Sequence, residues 1–110
     1  MTRLLTPDEI RHLLESPPGW DLDRDGRSIT TDLRFDGFRA AWEFMSSVAQ
    51  AADTLDHHPE WQNVFDRVQI RLTTHDADGL TTRDQSLAAA LTLALPRHYA
   101  RLPSRTGVVE

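Results

Sequence analysis

The chain has 110 residues, a length that predicts a single domain with a core of modest size. It contains no cysteine, which excludes disulfides, thiolate metal sites and a cysteine nucleophile. The formal net charge is −5 and all twelve basic residues are arginine, so nucleic-acid binding, Schiff-base chemistry and a P-loop lysine are not expected. Histidines and carboxylates remain as the reactive groups.

No apolar run approaches the roughly 18 residues that span a membrane. The opening "MTRLLTPDEI" lacks the apolar segment of a secretory signal. We therefore expect a cytoplasmic protein that does not bind membranes.

The first predicted element is a helix that begins at "TPDE". Thr6 is the expected cap, Pro7 suits the first helical position, and Glu9 completes a capping box. The helix should bury three apolar residues and stop at "SPPG": Ile10, Leu13 and Leu14.

A hairpin is predicted next, because Asp25-Gly26 is a strong turn signal. Beyond the turn, polar residues alternate with an inward-facing set, as in a half-buried strand: Ile29, Thr31, Leu33 and Phe35.

The pattern then changes to helical spacing, with Asp36 as the expected cap. A stripe of aromatic, Met and small residues could line a cofactor, but more often such a stripe packs in the core. We expect the core role for these residues: Phe38, Ala41, Trp42, Met45, Val48, Ala49 and Ala52.

A loop, "DHHPEW", precedes a second hairpin of the short strand "WQNVF" and the strand "RVQIRLTTH", with a turn at "DR". The second strand should bury Val68, Ile70 and Leu72 and end at His75.

The last predicted helix begins with a capping box of Thr81 and Asp84, and Pro96 ends it. Its buried stripe is Leu87, Leu91 and Leu95. We predict one domain over residues 1–96, followed by an unpatterned C-terminal tail at 97–110.

These elements predict an α+β two-layer domain, a four-stranded antiparallel sheet with three helices packed on one face. Such a sheet exposes edge strands, and a small domain can cover an edge by dimerising.

Three histidines are candidates for chemistry: the adjacent His57 and His58, and His75 at the end of the last strand. Neighbouring side chains on an extended segment point to opposite sides, so His57 and His58 cannot form a simple bidentate pair. Three interpretations remain open on spacing alone. They are a tri-histidine zinc site without the usual ligand spacing, a chance doubling in a loop, and metal-free acid–base chemistry near neutral pH.

The spacing of seven positions resembles the signature of the pterin-4a-carbinolamine dehydratases. It runs from Asp53-x-x-x-His57-His58-Pro59 through five residues to Phe65, nine to His75 and eight to Asp84. The surrounding stretches "LDHHPEWQNVFDRVQIRLTTH" and "GLTTRDQSLA" resemble the family as well, and the likeness covers roughly residues 4–93. The family's fold, an antiparallel sheet with helices on one side, agrees with the architecture predicted above.

The resemblance implies dehydration of a 4a-hydroxytetrahydropterin, made by an aromatic amino acid hydroxylase, to quinonoid dihydropterin and water. It implies that His57 and His75 protonate the leaving hydroxyl, one on each face of the substrate. His58 would hold and orient the pterin and could take the N5 proton. No metal or cofactor is implied.

Further substrate contacts follow from the same resemblance and from position. Asp84, expected near His75, could orient an imidazole or simply serve the helix cap. Trp61 could wall the pocket or lie in the core, and backbone groups around Thr73 and Thr74 could pair with the pterin edge. The resemblance also implies a homodimer or homotetramer. The alternative function is a non-catalytic protein-binding or assembly module of the same fold.

Overall fold

A computed structural model describes residues 3–103 of the chain. The helices are α1 (Pro7–Glu15), α2 (Phe38–Leu55) and α3 (Thr82–Ala94), with a short 3-10 turn at His75–Ala77. The strands are β1 (Asp21–Leu22), β2 (Ile29–Phe35), β3 (Glu60–Val64), β4 (Arg67–Leu72) and β5 (Tyr99–Arg101). No helix in residues 3–103 is both long and apolar enough to cross a membrane.

The strands form one antiparallel sheet in the order β1-β2-β4-β3, and β5 pairs with the far end of β2 on the same edge as β1. Both predicted hairpins are present. The turn of the second lies at Phe65-Asp66, one residue before the predicted position, and Phe65 has a positive φ of 52°. The predicted antiparallel α+β architecture is confirmed.

One layer of helices covers one face of this sheet. The inward-facing residues of β2 and β4 form the core together with α1, α2 and α3, and the predicted inward sets of both strands are buried. Leu13 on α1 and Leu87 and Leu91 on α3 are buried as predicted, while Leu95 is half-buried as the C-cap of α3.

Both predicted capping boxes are present. The Thr6 hydroxyl accepts from the Glu9 N–H while Glu9 Oε1 accepts from the Thr6 N–H, and Thr81 with Asp84 repeats the arrangement at α3. These reciprocal bonds satisfy N–H groups that a helix start otherwise leaves without partners.

The prediction for α2 was wrong in two respects. Its N-cap is Gly37 with φ 91°, without a side-chain cap, so Asp36 does not serve that role. Phe38, Trp42 and Ala49 are exposed rather than buried, and the helix buries a narrower set: Ala41, Phe44, Val48 and Ala52. The apolar residues of α2 span more than one helix face, and only the arc that meets the sheet and α3 is covered.

The C-terminal tail was also predicted wrongly in part. Tyr99–Arg101 form β5, and the Leu102 N–H donates to the Asp32 carbonyl at 2.8 Å. Because β1 pairs with only two residues of β2, the rest of that edge is open to a further strand. The sheet therefore has five strands instead of four, and the domain extends past residue 96. The remainder of the predicted tail, from residue 104 on, lies outside the described residues.

Candidate active site

The end of α2 sets the two adjacent histidines on opposite sides of the chain. Asp56 ends the helix in the left-handed conformation, with φ 53°, and the His57 N–H donates to the Ala52 carbonyl at 3.1 Å. After this turn the His57 side chain is buried, at 8% exposure, whereas His58 is exposed. The two imidazoles therefore lie in different surroundings, one buried and one exposed to solvent.

His57 is paired with the buried carboxylate of Asp84. Its Nε2 lies 2.8 Å from Asp84 Oδ1, and Asp84 has no exposed surface. The second oxygen, Oδ2, accepts from the Thr81 N–H at 2.9 Å and from the Thr74 hydroxyl at 2.8 Å. Asp84 thus fills both roles considered for it, cap partner and imidazole partner. The imidazole that it contacts is that of His57, not that of His75 as expected.

The hydrogen bonds to an ionised Asp84 carboxylate assign the donor role to each of its partners. An ionised carboxylate only accepts, so His57 donates from Nε2 and Thr74 donates from its hydroxyl. The Thr81 hydroxyl then donates to Thr74 Oγ1 across 2.7 Å. With Nε2 bonded to Asp84, Nδ1 is the His57 nitrogen left for proton exchange with another group.

His58 contacts a carboxylate on the last turn of α2. Its Nε2 lies 2.9 Å from Asp53 Oδ1, and both side chains are mostly exposed. A pair in this position contributes little to stability because solvent screens it. It can still orient the imidazole toward a ligand.

His75 contacts a third carboxylate, that of Glu60 at the start of β3. Nε2 of His75 lies 2.7 Å from Glu60 Oε2, and Arg71 Nη1 lies 3.7 Å from Glu60 Oε1. Each of the three histidines therefore has its own carboxylate partner, and the pairs range from buried to largely exposed.

Two connections join the loop of His57 and His58 to the end of β4. The first runs from His57 through Asp84 to Thr74, the residue before His75. The second is the direct contact of Glu60 with His75. The fold thus brings the predicted histidines to one end of the sheet.

The other predicted contact residues lie in the same region. The Thr73 hydroxyl donates to the Arg27 carbonyl at 2.6 Å. The Thr74 N–H donates to the Gly79 carbonyl, and the Thr74 carbonyl accepts from the N–H groups of Ala77 and Gly79. These backbone groups are therefore already hydrogen-bonded within the loop. Trp61 is half-buried and packs against the core.

A cavity of about 330 Å³ lies on the face of the sheet opposite the helices. Its polar walls include Thr30, Asp32, Gln69 and Arg71, and Glu60 and Trp61 line it as well. None of the three candidate histidines is among the residues that line it, although Glu60, the partner of His75, is.

Within residues 3–103, no group of three or more His, Cys, Asp or Glu side chains is arranged to hold a metal ion. Instead, Nε2 of each of the three histidines contacts a different carboxylate.

Sequence reasoning did not select Asp53 and Glu60 as site residues. Asp53 opens the seven-position signature and lies in the last turn before the paired histidines, which was the available signal. Glu60 carried no such signal, since its partner His75 is 15 residues away and meets it only through the β3–β4 pairing.

Comparisons with known proteins place the chain among its relatives. A protein-family model described as "Pterin 4 alpha carbinolamine dehydratase" matches residues 3–93. A Novosphingobium aromaticivorans protein, provisionally named pterin-4-alpha-carbinolamine dehydratase, is 51% identical over 87 residues, which is 79% of this chain and 91% of that protein. A Prochlorococcus marinus protein with the same provisional name is 40% identical over 91 residues, which is 83% of this chain and 94% of that protein.

A solved structure from Brucella melitensis, described as a transcriptional coactivator/pterin dehydratase, superposes with a TM-score of 0.77 at 35% identity. The match covers 84% of this chain and 98% of that one. Fold and sequence thus define a small α+β domain of the pterin dehydratase type. The chain belongs to the pterin-4a-carbinolamine dehydratase family, which confirms the resemblance drawn from its signature.

Proposed function

We propose that this protein is a 4a-hydroxytetrahydropterin dehydratase, a hydro-lyase that works by histidine acid–base catalysis without a metal or cofactor. The observation that carries the proposal is the set of three histidines, each with its own carboxylate, at one end of the sheet of a family member. Carboxylate-paired imidazoles are suited to proton transfer near neutral pH.

The reaction requires two proton transfers. The C4a–O bond breaks, and the oxygen leaves as water after taking a proton from an acid. N5 gives up its proton to a base, and the N–H electron pair forms the C4a=N5 double bond of the quinonoid product. Both steps are served best by groups that titrate near the working pH.

Two histidines are proposed as the acids. His57 and His75 each protonate the leaving hydroxyl on one face of the pterin, so both 4a epimers are turned over. Because Asp84 and Glu60 occupy the Nε2 sides, Nδ1 is the donor in each imidazolium. The charge on His57 is balanced by a fully buried carboxylate.

His58 is proposed to bind and orient the pterin, and it is placed to receive the N5 proton. Its exposure and its exposed partner Asp53 suit a residue that meets an incoming ligand. Trp61 and the backbone of Thr73 complete the proposed substrate contacts. Thr74 contributes through its hydroxyl on Asp84 rather than through its backbone.

The alternative is a protein-binding module of the same fold. The Brucella melitensis relative is described as a coactivator as well as a dehydratase, and this gives the alternative its support. A module of this kind has no need of three carboxylate-paired histidines, which favours the enzyme. Self-association, a functional link to an aromatic amino acid hydroxylase, and the cytoplasmic location belong to the proposal.

The deciding experiment is a spectrophotometric dehydration assay on freshly generated 4a-hydroxytetrahydropterin. We expect quinonoid dihydropterin to form faster than in buffer alone, with saturation in substrate. A purified, folded protein that leaves the spontaneous rate unchanged at both 4a epimers would contradict the proposal and favour the binding module.

A further inference from the structure

Glu60 contacts two cations or potential cations at once. Its Oε2 accepts from His75 at 2.7 Å, and its Oε1 faces Arg71 Nη1 at 3.7 Å. Neither the family signature nor the spacing of the histidines includes this residue.

The backbone holds Glu60 in place. It is the first residue of β3 and lies directly opposite Arg71 of β4 in the antiparallel register. Directly opposed side chains of opposite charge on neighbouring strands attract each other. Glu60 is therefore positioned by the backbone pairing of β3 with β4 and by the side chain of Arg71 across that pair.

His75 lacks comparable support from packing. It begins the 3-10 turn beyond β4, and 75% of its side chain is exposed. Within residues 3–103, its imidazole makes one side-chain hydrogen bond, the bond to Glu60. His57, by contrast, is buried against a carboxylate that has two further donors. The orientation of the His75 ring thus depends on Glu60.

We propose that Glu60 is the positioning residue for His75 and that Arg71 anchors Glu60. By accepting from Nε2–H, the carboxylate selects the Nε2–H tautomer of neutral His75 and leaves Nδ1 as the unprotonated ring nitrogen. The consequence for catalysis rests on the proposed function, in which Nδ1 of His75 serves one face of the pterin. The positioning itself does not depend on it.

A positioning role for Glu60 predicts different effects from a purely structural role. An exposed ion pair contributes little to stability because solvent screens it, so its removal should barely change unfolding. Misplacing a catalytic group by about 1 Å, in contrast, can cost on the order of 100-fold in rate. Glu60 should therefore affect the histidine and its turnover far more than the fold.

The test combines NMR and kinetics on the full chain. The variant Glu60→Gln preserves size and removes the charge, and Glu15→Gln makes the same change at the exposed end of α1. Long-range ¹H–¹⁵N spectra of the imidazoles report the tautomer of each histidine. We expect His75 to be mainly Nε2–H in the wild type and Glu15→Gln, and to become a mixture in Glu60→Gln, while His57 stays unchanged.

In the dehydration assay, Glu60→Gln should lower kcat on the order of 10- to 100-fold for the epimer that depends on His75, with KM nearly constant. Arg71→Gln should give a smaller loss of the same kind. An unchanged His75 tautomer in Glu60→Gln would overturn the proposal, as would an equal loss for both epimers. If no variant and no wild type turns over substrate, the proposed function fails, and the tautomer measurement still decides whether Glu60 positions His75.

Discussion

The imidazole of His57 and the carboxylate of Asp84 meet at 2.8 Å, and the same carboxylate caps α3 through the Thr81 N–H. One buried side chain therefore links the start of a helix to a candidate catalytic group 27 residues earlier in the chain. Any movement of the N-terminus of α3 would be transmitted to His57, which couples the integrity of the fold to the geometry of the site.

Replacing Asp84 should impair both stability and activity. In Asp84→Asn the amide cannot accept from all three donors, and a buried donor left without a partner costs about 1–3 kcal/mol. We expect chemical denaturation to show a loss of this size. Dehydration of the epimer that depends on His57 should slow by up to on the order of 10²–10⁴-fold, the contribution of the general acid that Asp84 supports.

Two matched variants separate these effects. Thr81→Ala removes the hydroxyl that caps α3 and should cost about 1 kcal/mol. Because Thr81→Ala keeps the His57–Asp84 pair, it should lose less activity than Asp84→Asn. Asp36→Asn changes an exposed aspartate before α2 that caps nothing and should be silent. Equal activity losses in Thr81→Ala and Asp84→Asn would argue that Asp84 acts only through the helix.

The histidine variants should differ by substrate epimer. His57→Ala and His75→Ala should each slow one 4a epimer by on the order of 10²–10⁴-fold and spare the other, and the double variant should approach the uncatalysed rate. His58→Ala should mainly raise KM, because an orienting contact acts in the ground and transition states alike. Stopped-flow assays on separated epimers provide the measurement.

His12→Ala and His98→Ala are the controls for this series, since both side chains are exposed and lie outside the site. The assignment is wrong if the two proposed acids can be removed without loss at either epimer, or if the controls are as damaging as the site variants.

Activity should survive extensive chelation. The histidines lack metal-ligand spacing, and each faces a carboxylate of its own. We expect dialysis against EDTA to leave kcat and KM unchanged, with metal content measured in parallel by mass spectrometry. Stoichiometric zinc in the active protein, together with loss of activity on its removal and recovery on its return, would refute acid–base catalysis by the histidines alone.

The chain should self-associate, at least to a dimer. Phe38 and Trp42 on α2 are 49% and 55% exposed, and their rings stack at 6.3 Å. Exposed aromatic patches on small domains commonly mark protein contacts. Light scattering should show an oligomer for the wild type and a smaller species for Trp42→Glu.

A second variant tests a different exposed surface, the edge strand β3. Val64→Thr changes an exposed residue there while keeping a β-branched side chain. If this variant dissociates the oligomer and Trp42→Glu does not, the sheet edge is the contact. A fully active wild-type monomer would contradict the prediction of self-association.

The N-terminus of α1 should lose stability in acid. The hydrogen bond from Arg3, with help from the Thr6 N–H, lowers the pKa of Glu9 from 4.5 to about 2. Since the folded pKa lies below the ordinary value, the stabilisation is complete above pH 4.5 and is lost as the pH falls toward 2. Wild type should thus melt above Glu9→Gln at pH 7, and the gap should shrink across this window.

The partner variant provides the cross-check for Glu9. Arg3→Gln removes the other member of the ion pair and should reduce the same pH-dependent gap. Melting curves followed by circular dichroism would show it. A gap between wild type and Glu9→Gln that is constant from pH 7 to pH 2 would show that the charge of Glu9 is not the cause.

Local signals in the chain were sufficient for most of the fold. The capping boxes of α1 and α3 involve residues three positions apart, and the alternation in β2 and β4 is a property of neighbouring residues. The Asp25-Gly26 turn is equally local. These features need no knowledge of the rest of the molecule, and the seven-position signature identified the family from the sequence alone.

Burial and long-range partners required the tertiary structure. Whether Phe38 or Phe44 faces the core depends on where the sheet and α3 lie, since α2 carries apolar residues on both sides. The strand β5 exists because β1 leaves part of the edge of β2 open, which no property of residues 99–101 reveals.

The sequence by itself determined the elements, the family and the identity of the three histidines. The tertiary structure decided which carboxylate each histidine contacts, and it paired His57 with Asp84 and His75 with Glu60 across 27 and 15 residues. The physical reason is that a hydrogen bond acts only within about 3 Å. Partners distant in sequence are therefore defined only once the backbone has brought them together.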